Sequence, residues 1–210
     1  MCPAPLLDAA EVAFFADLQR LLSRKRVRPP KRLKRICAVD SAYDGDRVVA
    51  VASVFEDGFP TETSSYAGRC SFPYVSGLFY LREGPFVVRA VRKLKARPQL
   101  VCFDAHGAAH PRGAGLATVC GMVLGIPSIG CAKSLLVGEV VQTGPELGKV
   151  IYDGEVVGLV TRLNGATRYW SPGYSVSFKG LESLVKTCGP TCLKALSQSD
   201  RVARSQLSAS

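Results

Sequence analysis

Apolar and polar positions along the chain switch several times between helical spacing and the alternation typical of strands. Residues 8–24 repeat apolar side chains at helical spacing and predict a helix, with Asp8 as its candidate N-cap. A short apolar run at 35–40 predicts a buried strand that ends in Asp40. Two β-rich arms within 46–72 flank the turn sequence "EDGF" and predict a hairpin. We therefore expect one helix followed by three strands.

The rest of the chain continues to alternate between strand and helix patterns. The segment at 72–84 contains Pro, Ser and Gly residues and predicts a loop. The further predicted elements are a basic helix at 85–97 with Pro85 near its first turn, a strand at 99–104 ending in Asp104, a helix at 115–125, a short strand at 126–134 ending near Lys133, a meander with "DG" and "NG" turns at 148–172, and a helix at 177–188. The Ser-rich segment 201–210 predicts a flexible tail.

Strands that lead into helices favour an α/β fold: a mixed sheet with an antiparallel hairpin at one side and flanking helices. The length fits a single domain over 1–210, in which 1–34 forms an N-terminal helix and basic segment. Functional sites of open sheets form beyond the carboxyl ends of strands. Asp40 and Asp104 are both predicted to lie at such ends.

The formal net charge of +10 favours a polyanionic partner, either nucleic acid or an acidic membrane surface. Eight of the twelve residues at 24–35 are Lys or Arg, which predicts an anion-binding patch on the folded surface. The chain has no apolar run of 18 residues and no signal peptide, so we expect a cytoplasmic protein. Its eight cysteines include no C-x-x-C pair, and we expect mostly reduced thiols.

Carboxylates at the ends of two buried strands need partners, because an unpaired ionised group near a low-dielectric core is costly. Three uses fit Asp40 and Asp104: an ion pair with Arg or Lys, a helix cap, or coordination of a hard cation such as Mg²⁺. Glu83 lies in "YLREGP", near the start of the predicted basic helix. Its carboxylate either interacts with the helix dipole or joins the two aspartates at one cation.

The only two histidines of the chain lie in the loop after Asp104. A zinc pair is disfavoured, because a glycine and a proline interrupt any helix that would bring His106 and His110 together. Each histidine could contact the backbone, or could donate a hydrogen bond to a metal-bound phosphate. Lys133 could add positive charge there. Carboxylates beside a basic surface suit metal-dependent hydrolysis of a phosphodiester bond.

Five segments resemble the endonuclease V family, in the same order and at similar spacing: "VDSAYDGD", "FPYVSGLFYLREGP", "FDAHGAAHPRGAGLA", "GIPSIGCAKS" and "YWSPGYSVSF". The resemblance covers about residues 36–180. It implies a ribonuclease-H-like fold and an enzyme of DNA repair that requires Mg²⁺, for which Mn²⁺ can substitute. Such enzymes nick a strand at the second phosphodiester bond 3′ to hypoxanthine, the deaminated form of adenine. The implied partner is damaged DNA, with no membrane, and we expect a monomer because no interface signal stands out.

The resemblance also assigns roles to individual residues. The metal-binding acids of the family correspond to Asp40 and Asp104, with Glu83 as the third acid. His110 corresponds to the histidine beside the family's active site, and Lys133 to the lysine of its "AKS" motif.

The segment "PYVSGLF" corresponds to the wedge that separates the strands and holds the lesion outside the base stack. Pro73 and Tyr74 match the start of the wedge, and an exposed tyrosine can stack on a base or fill the gap that a flipped base leaves. Gly77, Leu78 and Phe79 follow and are expected to line the pocket for the flipped base.

Three departures from the family pattern stand out. Ser76 replaces the second proline of the wedge, Tyr174 replaces the histidine of "SPGH", and the C-terminal motif is degenerate, with Asp200 where the family places a fourth acid or a histidine. Two alternatives stay open: an endoribonuclease specific for inosine in RNA, and a non-catalytic nucleic-acid-binding protein of the same fold. The intact set of three acids argues against the second alternative.

Overall fold

The computed structural model describes residues 9–22, 33–163 and 165–209. Most of the basic run at 24–35 lies outside these residues. Nine strands are present in the described ranges: β1 (Arg35–Asp44), β2 (Arg47–Glu56), β3 (Phe59–Arg69), β4 (Leu100–Phe103), β5 (Ser128–Ala132), β6 (Glu139–Gln142), β7 (Leu147–Tyr152), β8 (Glu155–Leu163) and β9 (Ala166–Pro172). Four helices accompany them: α1 (Ala9–Leu22), α2 (Phe79–Arg92), α3 (Leu116–Leu124) and α4 (Phe178–Ser208).

The strands form one mixed sheet in the order β3-β2-β1-β4-β5-β9-β8-β7-β6. The predicted hairpin is confirmed as β2 and β3, joined through Asp57 and Gly58, whose positive φ angles of 49° and 87° suit a tight turn between antiparallel strands. Strands β1, β4 and β5 pair in parallel at the centre, and the predicted meander is confirmed as β7 to β9. Strand β6 was not predicted.

Helices cover both faces of the central strands, because successive strand residues point to opposite faces. Val39 and Phe103 face the core that contains residues of α2 and α3, whereas Ala38 and Cys102 face the core that contains residues of α4. All four side chains are at most 1% exposed. Trp170 of β9 fills the α4 side and donates from its indole Nε1 to Thr161 Oγ1 at 2.9 Å. The α/β class with flanking helices is therefore confirmed.

The helix predicted at 85–97 begins earlier, at Phe79, so Pro85 lies inside α2 rather than near its first turn. Proline usually ends a helix because it removes a hydrogen bond and crowds the preceding turn. Here the buried residues Tyr80 and Val87 on either side of Pro85 pack into the core, and this packing outweighs the local preference. Glu83 consequently lies in the interior of a helix and not at its start.

The flexible tail predicted from residue 201 is wrong for the described residues, because α4 continues to Ser208. Pro190 lies within this helix. Leu196 and Ala203 remain buried beyond it, in the α4-side core and against β2. This apolar face, and not the composition of the segment, keeps the last turns helical.

The first predicted strand is also longer than expected. Strand β1 continues from Asp40 to Asp44, where it turns back through Gly45 into β2. Asp40 thus lies within β1 and pairs with Val51 of the antiparallel neighbour β2. The pairing of β1 with its parallel neighbour β4 ends one residue earlier, at Val39.

Candidate active site

Asp40 and Asp104 meet where the parallel pairing of β1 and β4 ends. The last paired residues are Val39 and Phe103, and the N–H of Asp104 donates to the carbonyl of Val39 at 3.2 Å. Each aspartate is the next residue on its own strand, so the two carboxylates leave the sheet side by side. The structure thus brings Asp40 and Asp104 together, and their role as metal ligands stays a prediction.

Asp40 is buried, and its environment opposes ionisation. Burial raises its pKa, and the nearby charge of Asp104 raises it further, to about 7. The backbone N–H of Ser41 donates to Asp40 Oδ1 at 2.8 Å and partly offsets this effect. Asp40 therefore lacks enough nearby positive charge to favour its ionised form.

Glu83 approaches the same acids from α2. It is buried, and burial followed by the charge of Asp40 raises its pKa to about 8. The hydroxyls of Ser41 and Tyr43 lie near enough to lower that pKa in part, although neither hydroxyl completes a hydrogen bond with good geometry. Glu83 thus interacts electrostatically with Asp40 and Asp104, and its role as a third acid at a cation stays a prediction.

Lys133 follows β5 and supplies the nearest positive charge. Its ammonium Nζ lies 2.5 Å from Asp104 Oδ2. The ammonium is partly desolvated, which lowers its pKa, but the hydrogen bond and charge of Asp104 outweigh this and raise the pKa overall. One carboxylate of the pair is thus neutralised by the protein itself, whereas Asp40 is not.

A cavity of about 200 Å³, called here the acid cavity, opens beside these residues. Asp40, Asp104 and Lys133 line it together with Arg168 of β9 and Asp200 of α4. Asp200 accepts a hydrogen bond from Arg204 Nε at 2.8 Å, and its charge contributes to the raised pKa of Asp40. Asp200, the candidate fourth acid, therefore lines the same cavity as Asp40 and Asp104.

The donor set of the acid cavity suits a hard divalent cation. Carboxylate oxygens are the ligands that Mg²⁺ prefers, and a cation would relieve the repulsion that raises the pKa of Asp40. Within residues 9–22, 33–163 and 165–209, no group of three or more His, Cys, Asp or Glu side chains is arranged so that all of them could hold one metal ion. The residues that would hold the ion are Asp40 and Asp104, with Asp200 and Glu83 around them.

His110 makes its hydrogen bonds with backbone groups and not with the acids. Its Nδ1 accepts from the backbone N–H of Arg112 at 3.1 Å, so its Nε2 carries the proton and donates to the carbonyl of Gly77 at 3.1 Å. Burial, and then the charge of Arg112, lower its pKa to about 4. Both ring nitrogens are occupied within the protein, which differs from the expectation of a histidine at the phosphate. His106, the other histidine, contacts the carbonyl of Ser134 at 3.0 Å.

A second cavity of about 300 Å³, called here the wedge cavity, adjoins the first. It is lined by Tyr74, Gly77 and Phe79 among the residues predicted to bind the lesion, and by Ser76 between them. The Tyr74 ring is 71% exposed, so it is free to contact a partner.

Two members of the predicted lesion-binding set do not line the wedge cavity. Leu78 is 1% exposed and packs in the core, and Pro73 is absent from the cavity wall. The side chain of Leu78 packs into the core and anchors the loop, whereas its neighbours Gly77 and Phe79 line the wedge cavity. The prediction of Leu78 as a pocket-lining side chain is therefore corrected, and the role of Pro73 at the start of the wedge stays a prediction.

Three residues around the two cavities were missed from the sequence. Arg168 lines the acid cavity from β9, Gln19 lines the wedge cavity from α1, and Arg112 donates a hydrogen bond to Gln19. Arg112 stands inside the "HPRG" segment, which was a usable signal. Gln19 and Arg168 carry no local signal, because only the fold brings α1 and β9 to these places.

The antiparallel hairpin, the central parallel strands, the flanking helices and the clustered acids define a ribonuclease-H-like nuclease. A family model described as Endonuclease V matches residues 16–194. The endonuclease V of Geotalea uraniireducens is 40% identical over 157 residues, which cover 71% of this chain and 67% of that protein. The chain belongs to the endonuclease V family, and the resemblance read from its motifs is confirmed.

Solved structures agree with this assignment. The crystal structure of the endonuclease V from Streptomyces avermitilis has a TM-score of 0.84 and 28% identity, covering 100% of this chain and 96% of that one. The Ciona intestinalis endonuclease V, crystallised with a 24mer DNA containing an inosine followed by a ribo-adenosine, shares the fold at a TM-score of 0.81 and 20% identity, covering 95% and 99%. In the part of the chain that the structure describes, no helix is both long and apolar enough to cross a membrane.

Proposed function

We propose that this nuclease nicks DNA at the second phosphodiester bond 3′ to hypoxanthine, using Mg²⁺ or, in its place, Mn²⁺. The observation that carries the proposal is that the acid cavity and the wedge cavity share Asp104 and Lys133 as common walls. A base held in the wedge cavity would bring the backbone of its own strand to the carboxylates. Recognition and hydrolysis would then take place on one continuous surface.

Asp40 and Asp104 would hold the cation, and Glu83 would support Asp40 from α2. When bound, Mg²⁺ lowers the pKa of a water molecule and stabilises negative charge on the leaving oxygen. Lys133 would exchange its contact with Asp104 for a phosphate oxygen, since the cation takes over the neutralisation of the carboxylate. Arg168 and Lys133 would then hold the phosphate group from two sides of the acid cavity.

The wedge cavity suits a base turned out of the duplex. Tyr74, exposed at its rim, would stack on a base or fill the gap left in the helix. Hypoxanthine presents a carbonyl oxygen at the ring position where adenine presents an amino group. Backbone N–H groups of the loop at 75–78 would donate to the carbonyl oxygen of hypoxanthine, whereas the amino group of adenine is itself a donor and would be disfavoured.

The Ciona intestinalis protein, which shares this fold, binds a DNA that contains inosine, and this supports the choice of substrate. The net charge of +10 favours a polyanionic partner, and nucleic acid is one of the two that fit. A monomer and a cytoplasmic location stay predictions.

The test is a nicking assay on a duplex with one inosine, in Mg²⁺, with product length read to one nucleotide. We expect wild-type cleavage at the second bond 3′ to inosine, and a loss of at least about 100-fold in Asp40→Ala and Asp104→Ala. Asp46→Ala is the matched control, because Asp46 is an exposed aspartate that pairs with Arg69 away from both cavities. Equal cleavage by all four proteins would refute the assignment of the acids.

Matched RNA and DNA strands in the same assay decide the sugar. Faster cleavage of the RNA strand would replace the proposal with an inosine-specific endoribonuclease. Binding to inosine DNA without any metal-dependent cleavage would replace it with a non-catalytic binding protein.

A further inference from the structure

Gln19 is a fully buried polar side chain on α1, far in sequence from every segment of the active site. Its Nε2 donates to the carbonyl of Ala114 at 2.7 Å, and its Oε1 accepts from Arg112 Nε at 2.7 Å. Both ends of the amide therefore contact the loop that follows Asp104. Neither contact is used by the proposed hydrolysis.

Arg112 connects Gln19 to the wedge. Its Nη2 donates to the carbonyl of Gly77, and its backbone N–H donates to His110 Nδ1. His110 in turn donates to the same Gly77 carbonyl. One backbone oxygen thus receives two donors from one loop, and each donor is oriented by a further hydrogen bond.

Gly77 lies in what we call the recognition turn, residues 75–78. The N–H of Leu78 donates to the carbonyl of Val75 at 2.9 Å, and the φ of +76° at Gly77 is a value that glycine adopts without strain. Ser76 and Gly77 of this turn line the wedge cavity. Because a peptide group is planar, fixing the Gly77 carbonyl also restricts the direction of the backbone groups beside it.

We infer that Gln19 is a positioning residue for lesion recognition: it holds Arg112, and through Arg112 it holds the recognition turn in the geometry that selects hypoxanthine over adenine. This inference rests on the proposed function for its substrate. Backbone donors that are oriented before the base arrives discriminate better than donors that must be ordered on binding. Helix α1, outside all the motifs, thereby belongs to the specificity apparatus.

The test compares Gln19→Leu, which keeps the volume and removes both polar ends, with Gln198→Leu. Gln198 is a suitable control because it is only half-buried, its side chain donates to Thr63 Oγ1, and it does not line the wedge cavity. Binding and cleavage are measured on an inosine duplex and on an adenine duplex of the same sequence. For Gln19→Leu we expect the Kd and KM for inosine DNA to rise about tenfold, with the adenine Kd and the saturating rate changed less than about threefold. Equal weakening on both duplexes, or no change on either, would overturn the inference.

A measurement without DNA separates this inference from the proposed function. Amide hydrogen exchange in peptides covering 72–79 should quicken about tenfold in Gln19→Leu and stay unchanged in Gln198→Leu. Arg112→Lys, which keeps the charge but cannot bond Gly77 and Gln19 together, should give the same result and decides the matter if Gln19→Leu does not fold. Unchanged exchange in a folded variant removes the clamp whatever the substrate is, whereas failure of wild type to prefer inosine removes only the proposed substrate.

Discussion

Asp40 and Asp104 each follow one member of the last residue pair between β1 and β4, so two carboxylates leave adjacent parallel strands at one point. The buried member, Asp40, has its pKa raised to about 7 by burial and by Asp104. The site is thus assembled at a cost in stability, since it forces like charges together without enough positive charge. Several measurable properties depend on this cost.

The first is the pH dependence of stability without divalent cations. Asp40 and Glu83 have higher pKa values when folded than their ordinary values of 3.8 and 4.5, so between about pH 4 and 8 the folded protein binds more protons than the unfolded chain. Stability therefore falls as pH rises through this window. Asp40→Asn removes one of these groups and should stabilise the protein by roughly 2–4 kcal/mol at pH 8, and by little at pH 4.

Thermal unfolding in EDTA at the two pH values checks this prediction. Asp46→Asn serves as the control, because its carboxylate is exposed and pairs with Arg69. A gain in Tm for Asp40→Asn that is the same at pH 4 and pH 8 would contradict the assignment of the strain to ionised Asp40.

The second property is stabilisation by divalent cations. An ion that binds only the folded protein raises its free energy of unfolding by about 2.7 kcal/mol at a hundredfold excess over its Kd. We expect Mg²⁺ or Mn²⁺ to raise the Tm at pH 8, EDTA to reverse the gain, and Asp104→Asn to abolish it. Calorimetry of wild type and of Asp46→Asn, which should both respond, makes the comparison. A response that persists in Asp104→Asn would place the ion elsewhere.

The third property concerns Lys133, whose ammonium contacts Asp104 at 2.5 Å. Its side chain is 58% exposed but that of Asp104 is only 13% exposed, so without divalent cations Lys133→Met should destabilise the protein by about 1–3 kcal/mol, and a bound cation should remove most of this cost. Loss of positive charge at the phosphate should nevertheless slow single-turnover nicking about 100-fold, corresponding to ~3 kcal/mol. Lys133→Arg should retain part of the rate. Equal rates for Lys133→Met and wild type would assign Lys133 to the ion pair alone.

Much of this site could be predicted from the sequence, because it depends on local pattern. Val-rich runs and the "DG" turns located the hairpin and the meander, and the apolar run before Asp104 placed that residue correctly at a strand end. The motif resemblance brought Asp40, Glu83 and Lys133 into one list before any contact was known. Strand ends and motifs are local features, so they can be recognised from the sequence alone.

The errors occurred where tertiary packing outweighs local preference. Pro85 and Pro190 are tolerated inside helices because each helix buries an apolar face against the sheet. The residues next to each proline in the sequence do not reveal this packing. The direction of His110 depends on Gly77, 33 positions away. The contact of Gln19 with Arg112 spans 93 positions and involves no motif. Such pairings are set by the fold and could not be predicted from spacing.

The fourth prediction concerns the exposed ring of Tyr74 at the rim of the wedge cavity. Stacking of a base on an aromatic ring contributes about 1–3 kcal/mol. Tyr74→Ala should therefore weaken binding of inosine DNA by about 5- to 150-fold, with Tm unchanged because the ring is 71% exposed. Tyr74→Phe keeps the stacking face and should bind within about threefold of wild type. Fluorescence anisotropy measures both, and similar losses in the two variants would show that the hydroxyl is what matters.

The last prediction follows from Ser76, which stands where the family has the second proline of its wedge. Ser76 precedes Gly77 in the recognition turn, and the bond from Leu78 to Val75 places it at the second position of a four-residue turn. The positive φ of Gly77 at the third position matches a type II turn, in which proline is common at the second. Ser76 itself does not have a positive φ, so proline should fit there.

Ser76→Pro should stabilise the protein by about 0.4–1 kcal/mol, because it restricts the unfolded chain, and should tighten binding of inosine DNA by stiffening the turn. Ser71→Pro, in the irregular segment before the wedge, is the control, and its effect on inosine binding should be smaller. Loss of stability in Ser76→Pro, with no loss in Ser71→Pro, would contradict this prediction. It would show that the N–H of Ser76 is needed and that proline does not fit the wedge of this chain.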